Sequence, residues 1–275
     1  MTVPVWLQSV LPQHALSRAL GRLARARRPW IKDQLIDAFI RAYDVDMTDA
    51  ARKRAAEFAS FNDFFTRELA PGVRPLPDTR NALLSPCDGT VSQAGDIAGD
   101  TLLQAKGKTY SLARLLGDAG WARTFDGGEF VTIYLAPRDY HRVHAPCGGV
   151  VKRSIAIPGA LFSVNAATEG GLDSLFCRNE RLVIELETAH GRIAVVMVGA
   201  LIVASIETTF GAARSPYIAR IEHPHDFAIE AGAELGRFLL GSTVIVLVPR
   251  GVVRLTDAVV PRHHVRLREP LGVVS

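Results

Sequence analysis

The sequence predicts an α+β protein, mainly a barrel-like β sandwich core with N-terminal amphipathic helices. Residues 1–43 repeat apolar side chains at three- and four-residue spacing, the period of a helix. From about Leu83 short Val/Ile-rich runs alternate with turn residues, the texture of strands. One turn motif then occurs twice, 60 residues apart.

In the helical segment Val3, Trp6, Leu7, Val10 and Leu11 recur at helical spacing, as do Leu16, Leu20 and Leu23. After Pro29 the set Ile31, Leu35, Ile36, Phe39, Ile40 and Tyr43 continues the pattern, and Arg18, Arg22 and Arg25 form a cationic row. The chain's net charge of +4 is concentrated here: residues 1–43 carry +5 and the remainder −1. That distribution removes the case for generic nucleic-acid binding by the main body. It fits helices lying on an anionic membrane, where each cation contributes roughly 1 kcal/mol. An amphipathic helix packed on its own domain is the alternative. Arg and His interrupt the apolar run and no small-residue cleavage site follows, so no secretory signal is expected. The longest apolar stretch, Ile193–Ile206, is 14 residues, short of the ~20 of a spanning helix. The expected division is residues 1–45, membrane-associating helices, and residues 46–275, the main domain.

The main domain has material for a large core, since the chain of 275 residues is 48% hydrophobic and 22% charged. Its cysteines, Cys87, Cys147 and Cys177, are too scattered for a disulfide framework or a zinc ribbon. Strands are expected over Phe130–Leu135, Val150–Ile157, Leu182–Glu187, Ile193–Ile206 and Thr243–Val248, and a short helix over Ser111–Leu116. The repeated turn is Ser85-Pro-Cys-Asp-Gly-Thr-Val91 and Ala145-Pro-Cys-Gly-Gly-Val-Val151, which points to two related halves.

Three places hold residues able to do chemistry. Asp88 sits in a Pro-Cys-Asp-Gly turn. His141 and His144 lie three apart in the Pro-bounded segment Tyr134–Pro146. They suit metal ligation, acid–base work or an ordinary polar loop; a metal set would need Asp88 as third ligand. Gly241-Ser242-Thr243 enters a strand, and it lacks the Gly-x-Ser-x-Gly elbow of hydrolases. A turn is the plain reading. Glycine before serine is also what backbone self-cleavage needs, because glycine leaves its carbonyl open to close approach by the next hydroxyl.

Taken in order, Phe61-Asn-Asp-Phe-Phe-Thr-Arg67, Ser85-Pro-Cys-Asp-Gly89, Tyr134-Leu-Ala-Pro-Arg-Asp-Tyr-His-Arg-Val-His144, Pro158-Gly-Ala-Leu-Phe-Ser-Val-Asn165, Arg178-Asn-Glu-Arg181 and Leu240-Gly-Ser-Thr243 resemble the bacterial phosphatidylserine decarboxylase proenzymes. The resemblance runs from about residue 30 to 250. It implies that Ser242 attacks the carbonyl of Gly241, splitting the chain into a β chain (1–241) and an α chain (242–275) headed by a pyruvoyl group derived from Ser242. It implies His144 as the general base and Asp88 as its orienting partner. The covalent pyruvoyl cofactor would form a Schiff base with the amine of phosphatidylserine and release CO2 to give phosphatidylethanolamine. His141 is the expected acid–base group of that step, with His144 the alternative. No metal is implied. The expected partners are phosphatidylserine in an anionic membrane and the sister chain, with room for a homodimer of such pairs and no nucleic acid. The expected location is the cytoplasmic face of the bacterial inner membrane, as a peripheral protein. A non-enzymatic β-rich binding module, a metal-assisted hydrolase and a soluble pyruvoyl decarboxylase are the rival readings.

Overall fold

The computed structural model describes residue 8 and residues 12–78, 81–200, 206–239 and 242–274. The expected helix over Val3–Leu11 lies, Gln8 apart, outside the described residues. Two helices follow it, α1 (Gln13–Ala24) and α2 (Pro29–Tyr43). Pro29 opens α2, where its missing N–H costs no hydrogen bond. Asp44 closes it in the left-handed region, with φ 52°. On α1 the buried stripe is small: Ser17, Gly21 and Ala24 face the body, while Leu16 and Leu23 are exposed. The packed face thus lies about 100° around the helix from the leucine row, and Leu16 and Leu23 point outward, as the membrane-lying reading expects and the packed-helix alternative does not. On α2 Ile36 is buried against Phe58, Phe61, Phe64 and Phe65. The last three belong to the short helix α3 (Phe61–Phe65), capped by Ser60, whose Oγ accepts the Asp63 N–H at 3.2 Å.

The body is antiparallel β. In chain order it comprises β1 (Ala82–Leu84), β2 (Gly89–Asp96), β3 (Thr101–Leu103), β4 (Thr109–Ser111), helices α4 (Leu112–Leu116) and α5 (Ala119–Ala122), β5 (Glu129–Leu135), β6 (Arg142–His144) and β7 (Gly149–Ile157). Helices α6 (Ala166–Gly171) and α7 (Leu175–Arg178) precede β8 (Arg181–Thr188) and β9 (Gly191–Gly199). The remaining strands are β10 (Ile206–Thr208), β11 (Ile221–Ile229), β12 (Glu234–Phe238), β13 (Ser242–Val248), β14 (Val253–Leu255), β15 (His264–Val265) and β16 (Pro270–Val274).

Eight strands form the main sheet in the order β11-β7-β8-β9-β13-β5-β2-β15. Period-two alternation buries both of its faces. Val244, Val246 and Val248 of β13 join a core with the three-stranded sheets β1-β16-β14 and β10-β12-β6. Ile245 and Leu247 face the opposite core, built with Leu112, Leu115 and Leu116 of α4, Trp121 of α5 and Phe176 of α7. The result is three layers around an open sheet rather than the expected barrel. Among the described residues β11 and β15 are its free edges. β15 is only two residues long. β11 carries Pro224 and exposed His223 and Asp226, which deny a further strand a flat, donor-complete edge.

The repeated turn does mark two related halves. Reading inward from each edge, β11-β7-β8-β9 mirrors β15-β2-β5-β13. Each half also carries one small sheet: β6 and β10 flank β12 as β1 and β14 flank β16. The turns themselves meet, with the Leu84 N–H on Pro146 O at 2.7 Å and the His144 N–H on Pro86 O at 2.8 Å. The β8–β9 connection is a hairpin. Its counterpart between β5 and β13 is the whole second half, residues 136–241. Ser242 therefore stands where the chain re-enters the first half, in the middle of the sheet.

Candidate active site

Ser242 heads β13 and pairs with Leu135 of β5 on one side and Gly199 of β9 on the other. It is fully buried, and its Oγ has no hydrogen-bond partner among the described residues. A buried unpaired hydroxyl costs about 1–3 kcal/mol. Gly241 and Leu240 lie outside the described residues.

The segment that leaves β5 at Leu135 turns tightly, the Ala136 N–H on Asp139 Oδ2 at 2.7 Å and the Asp139 N–H on Ala136 O at 2.9 Å. It returns as β6 beside β12, and the Phe238 N–H donates to His141 O at 2.9 Å. β12 then runs toward Ser242. The topology thereby pairs His141 with Phe238, which precedes Ser242 by four residues in the sequence.

His141 is fully buried and donates Nδ1–H to Asp139 O at 2.9 Å; a carbonyl only accepts, so the proton is on Nδ1 and Nε2 is bare. That Nε2 has no partner among the described residues. Burial pushes the ring's pKa down to about 3, with the Arg67 cation adding to the effect. His144 is likewise held below its ordinary value by burial. Its Nδ1–H donates to Gly232 O at 2.9 Å, and its Nε2 accepts the Tyr140 hydroxyl at 3.0 Å.

Asp88 does not touch His144. Its carboxylate makes a two-pronged ion pair with Arg74, Nε to Oδ1 at 3.1 Å and Nη2 to Oδ2 at 2.8 Å, and accepts the Leu267 N–H at 2.6 Å. Arg74 also holds Asp49 at 2.8 Å. The connection to His144 is indirect. Arg268 donates Nη1 to Arg74 O at 2.6 Å and Nη2 to Gly232 O at 3.1 Å, and Gly232 O is the acceptor that fixes His144. A cavity of about 320 Å³ adjoins this network, lined by Asp49, Arg67, Arg74, Asp88, Asp139 and Tyr140. The metal set Asp88–His141–His144 does not assemble, and no group of three or more candidate ligands gathers among the described residues.

The Pro158–Asn165 and Arg178–Arg181 blocks meet on the other side. Asn179 Nδ2 donates to Phe162 O at 2.8 Å and to Gly199 O at 2.9 Å, tying the Phe162 loop to the residue opposite Ser242. Gly159 lets the loop pass: a Cβ there would lie 2.5 Å from Arg178 O. The N-terminal segment grips the same loop. Gln8 Oε1 accepts the Ser163 N–H at 2.8 Å and Gln13 Oε1 the Leu161 N–H at 2.7 Å.

Sequence reasoning missed Arg74, Tyr140, Gly232 and Arg268. Their partners lie far away in the chain, apart from the Tyr140–His144 pair four residues apart, which the motif itself contained.

A family model described as Phosphatidylserine decarboxylase matches residues 61–273, and a second, described as PSD, matches residues 3–44. Proteins named phosphatidylserine decarboxylase proenzyme are similar along almost their whole length. One from Azotobacter vinelandii is 47% identical over 98% of this chain and 96% of its own. One from Alcanivorax borkumensis is 46% identical over 98% and 96%. One from Shewanella pealeana is 44% identical over 99% of both. Motifs, match span and end-to-end identity agree: the chain belongs to the phosphatidylserine decarboxylase family.

Proposed function

We propose that the chain is a proenzyme that cuts itself between Gly241 and Ser242 and then decarboxylates phosphatidylserine to phosphatidylethanolamine. One observation carries the reading: a fully buried serine hydroxyl, with no hydrogen-bond partner among the described residues, heads the central strand, and its pairing neighbour Leu135 leads directly into the segment that holds two buried histidines, both kept below their ordinary pKa by burial.

A serine hydroxyl needs a base to become a nucleophile. His144 is the base in this reading. Gly232 O holds its proton on Nδ1, so the Nε2 lone pair can receive the Ser242 proton once the Tyr140 hydroxyl turns aside. The Oγ–carbon bond to Gly241 forms, the peptide C–N bond breaks, and the proton passes to the freed amine. Loss of the Cα hydrogen then expels the Gly241 carboxylate and leaves a dehydroalanine, which water converts to a ketone and ammonia. The surroundings of position 242 fit such a group, since the side chain there is fully buried and has no hydrogen-bond partner among the described residues, so replacing its hydroxymethyl by a methyl leaves no group unsatisfied. A pyruvoyl group there supplies a carbonyl that captures an amine and takes up the electron pair released with CO2. His141, with its bare Nε2, is the residue placed to move a proton in that step.

The two products would stay together. β13 belongs to the smaller one and is hydrogen-bonded along its length to β5 and β9 of the larger, while β16 pairs with β1. Membrane attachment is supported by exposed Leu16, Leu23 and Trp30, the last 65% exposed, next to the arginine row. No helix among the described residues is long and apolar enough to cross a membrane; the proposed location is the cytoplasmic leaflet, as the family resemblance implies. A denaturing gel tests the reading. Two fragments are expected from the native sequence and one from Ser242→Ala; a single full-length band from both, with full decarboxylase activity, would sink it.

A further inference from the structure

The Phe61–Arg67 block has no part in the chemistry above, yet its last residues hold the histidine segment at consecutive points. The Phe65 ring packs on the His141 ring with centroids 4.0 Å apart. Thr66 O accepts Arg142 Nε at 2.9 Å. Arg67 Nη2 donates to Arg138 O at 2.8 Å and to Asp139 O at 3.3 Å. Glu68 pairs with Arg142 Nη2 at 3.2 Å.

Two of these contacts bear on His141 directly. Asp139 O, which takes the Nδ1 hydrogen of His141, is the same oxygen that Arg67 approaches. Arg67 is 4% exposed and forms no salt bridge to a carboxylate among the described residues. Its charge lies beside the buried ring, with Asp139, Asp88 and Asp46 acting on it only from beyond contact distance. Phe65 is fully buried and is itself wedged by Phe39 and Phe61. We propose that Phe65 and Arg67 are positioning residues for His141, fixing the ring's tautomer and keeping its Nε2 unprotonated for proton transfer.

The mechanism is simple. Arg67 polarises and anchors the carbonyl that demands Nδ1–H, and its cation opposes a second proton on the ring. Phe65 excludes water from one ring face and blocks rotation. The other charged groups close to His141 are engaged elsewhere. The Asp139 carboxyl is turned to the Ala136 N–H, and Arg142 to Thr66 O, Glu68 and Glu234. Phe238 presents only its backbone.

The proposal rests on the decarboxylase reading for its purpose, and ring titration separates the two. Histidine-labelled full-length protein is followed by NMR over pH, alongside the pH profile of kcat on phosphatidylserine vesicles. In Arg67→Met the His141 ring should protonate at a higher pH than in the native protein, and the acid limb of kcat should move with it. Arg67→Lys, which keeps the cation, should restore most of the shift. Phe65→Leu should lower kcat about 10-fold with little change in KM. If Arg67→Met does not fold, the Lys and Leu variants carry the test by the same readouts. Variants that fold and cleave, with ring titration and acid limb as in the native protein, overturn the proposal. A shifted ring titration in a protein that neither cuts itself nor decarboxylates leaves the positioning role standing and removes the decarboxylase reading.

Discussion

Asp88 and His144 share no hydrogen bond; they are joined through Arg74, Arg268 and the carbonyl of Gly232. The orienting role proposed for Asp88 would therefore have to run through these groups rather than by direct contact. The carboxylate fixes Arg74 and the Leu267 N–H, these hold Arg268 in place, and Arg268 presents the acceptor that sets the His144 tautomer.

In the proposed self-cleavage such a relay gives Arg268 a positioning role, exerted on His144 through Gly232 O. Arg268→Met is expected to slow cleavage by about 10- to 100-fold, the usual cost of a misplaced base. A time course of fragment appearance measures it. Cleavage at the native rate would mean that Asp88 reaches His144 by direct contact in the reacting state.

The two histidines should separate by function. His144→Ala is expected to remain uncut, whereas His141→Ala should be cut but release CO2 far more slowly. General acid–base groups contribute roughly 100- to 10,000-fold, so a radiometric CO2 assay has ample range. If both variants are processed and turn over normally, the assigned roles are wrong.

Acid should weaken the fold. His141 titrates at about 3 in the folded chain against 6.5 as its ordinary value, so between these pH values only the unfolded chain carries that proton. Stability then falls with falling pH, by about 1.4 kcal/mol per unit for such a histidine. His144, also held low, has the same sign. Asp139 and Glu169, raised by burial, have the opposite sign, and they cancel when His141→Asn is compared with the native protein. Urea denaturation between about pH 7.5 and 5 should show a flatter slope for the variant. Equal slopes would place His141 in contact with water.

Membrane attachment is best tested without truncation, because Gln8 and Gln13 brace the loop around Ser163. Replacing Leu16, Leu23 and Trp30 together by Glu is expected to weaken binding to anionic vesicles by more than roughly 10-fold, since each apolar side chain contributes about 1.5–3 kcal/mol on burial. Self-cleavage should be unaffected. Unchanged flotation would show that these side chains do not meet the bilayer.

Much of this was legible in the chain itself. The strands around Ile133, Ile155, Ile184, Val195 and Ile245 were readable because central strands are unbroken β-branched runs. β11 was not, since an edge strand with His223, Pro224 and Asp226 has the composition of a loop. The repeated turn at Cys87 and Cys147 signalled two halves correctly. It could not signal an open sheet, because closure depends on what the edges carry. In α1 the leucine period marked the exposed side, and the packed face went unseen because Ser17, Gly21 and Ala24 leave no hydrophobic pattern. The site residues were named by motif, but their wiring was not. Arg74 and Arg268 meet across 194 residues, and no local pattern records such a contact.

The most direct test is the intact mass of the purified native protein under denaturing conditions. Two species are expected, residues 1–241 and residues 242–275, the smaller with a keto group in place of its serine amine and trapped by cyanoborohydride as a secondary amine only when an amine substrate is present. A single species of full mass with serine intact at 242, in a preparation that decarboxylates phosphatidylserine, would contradict self-cleavage as the source of activity.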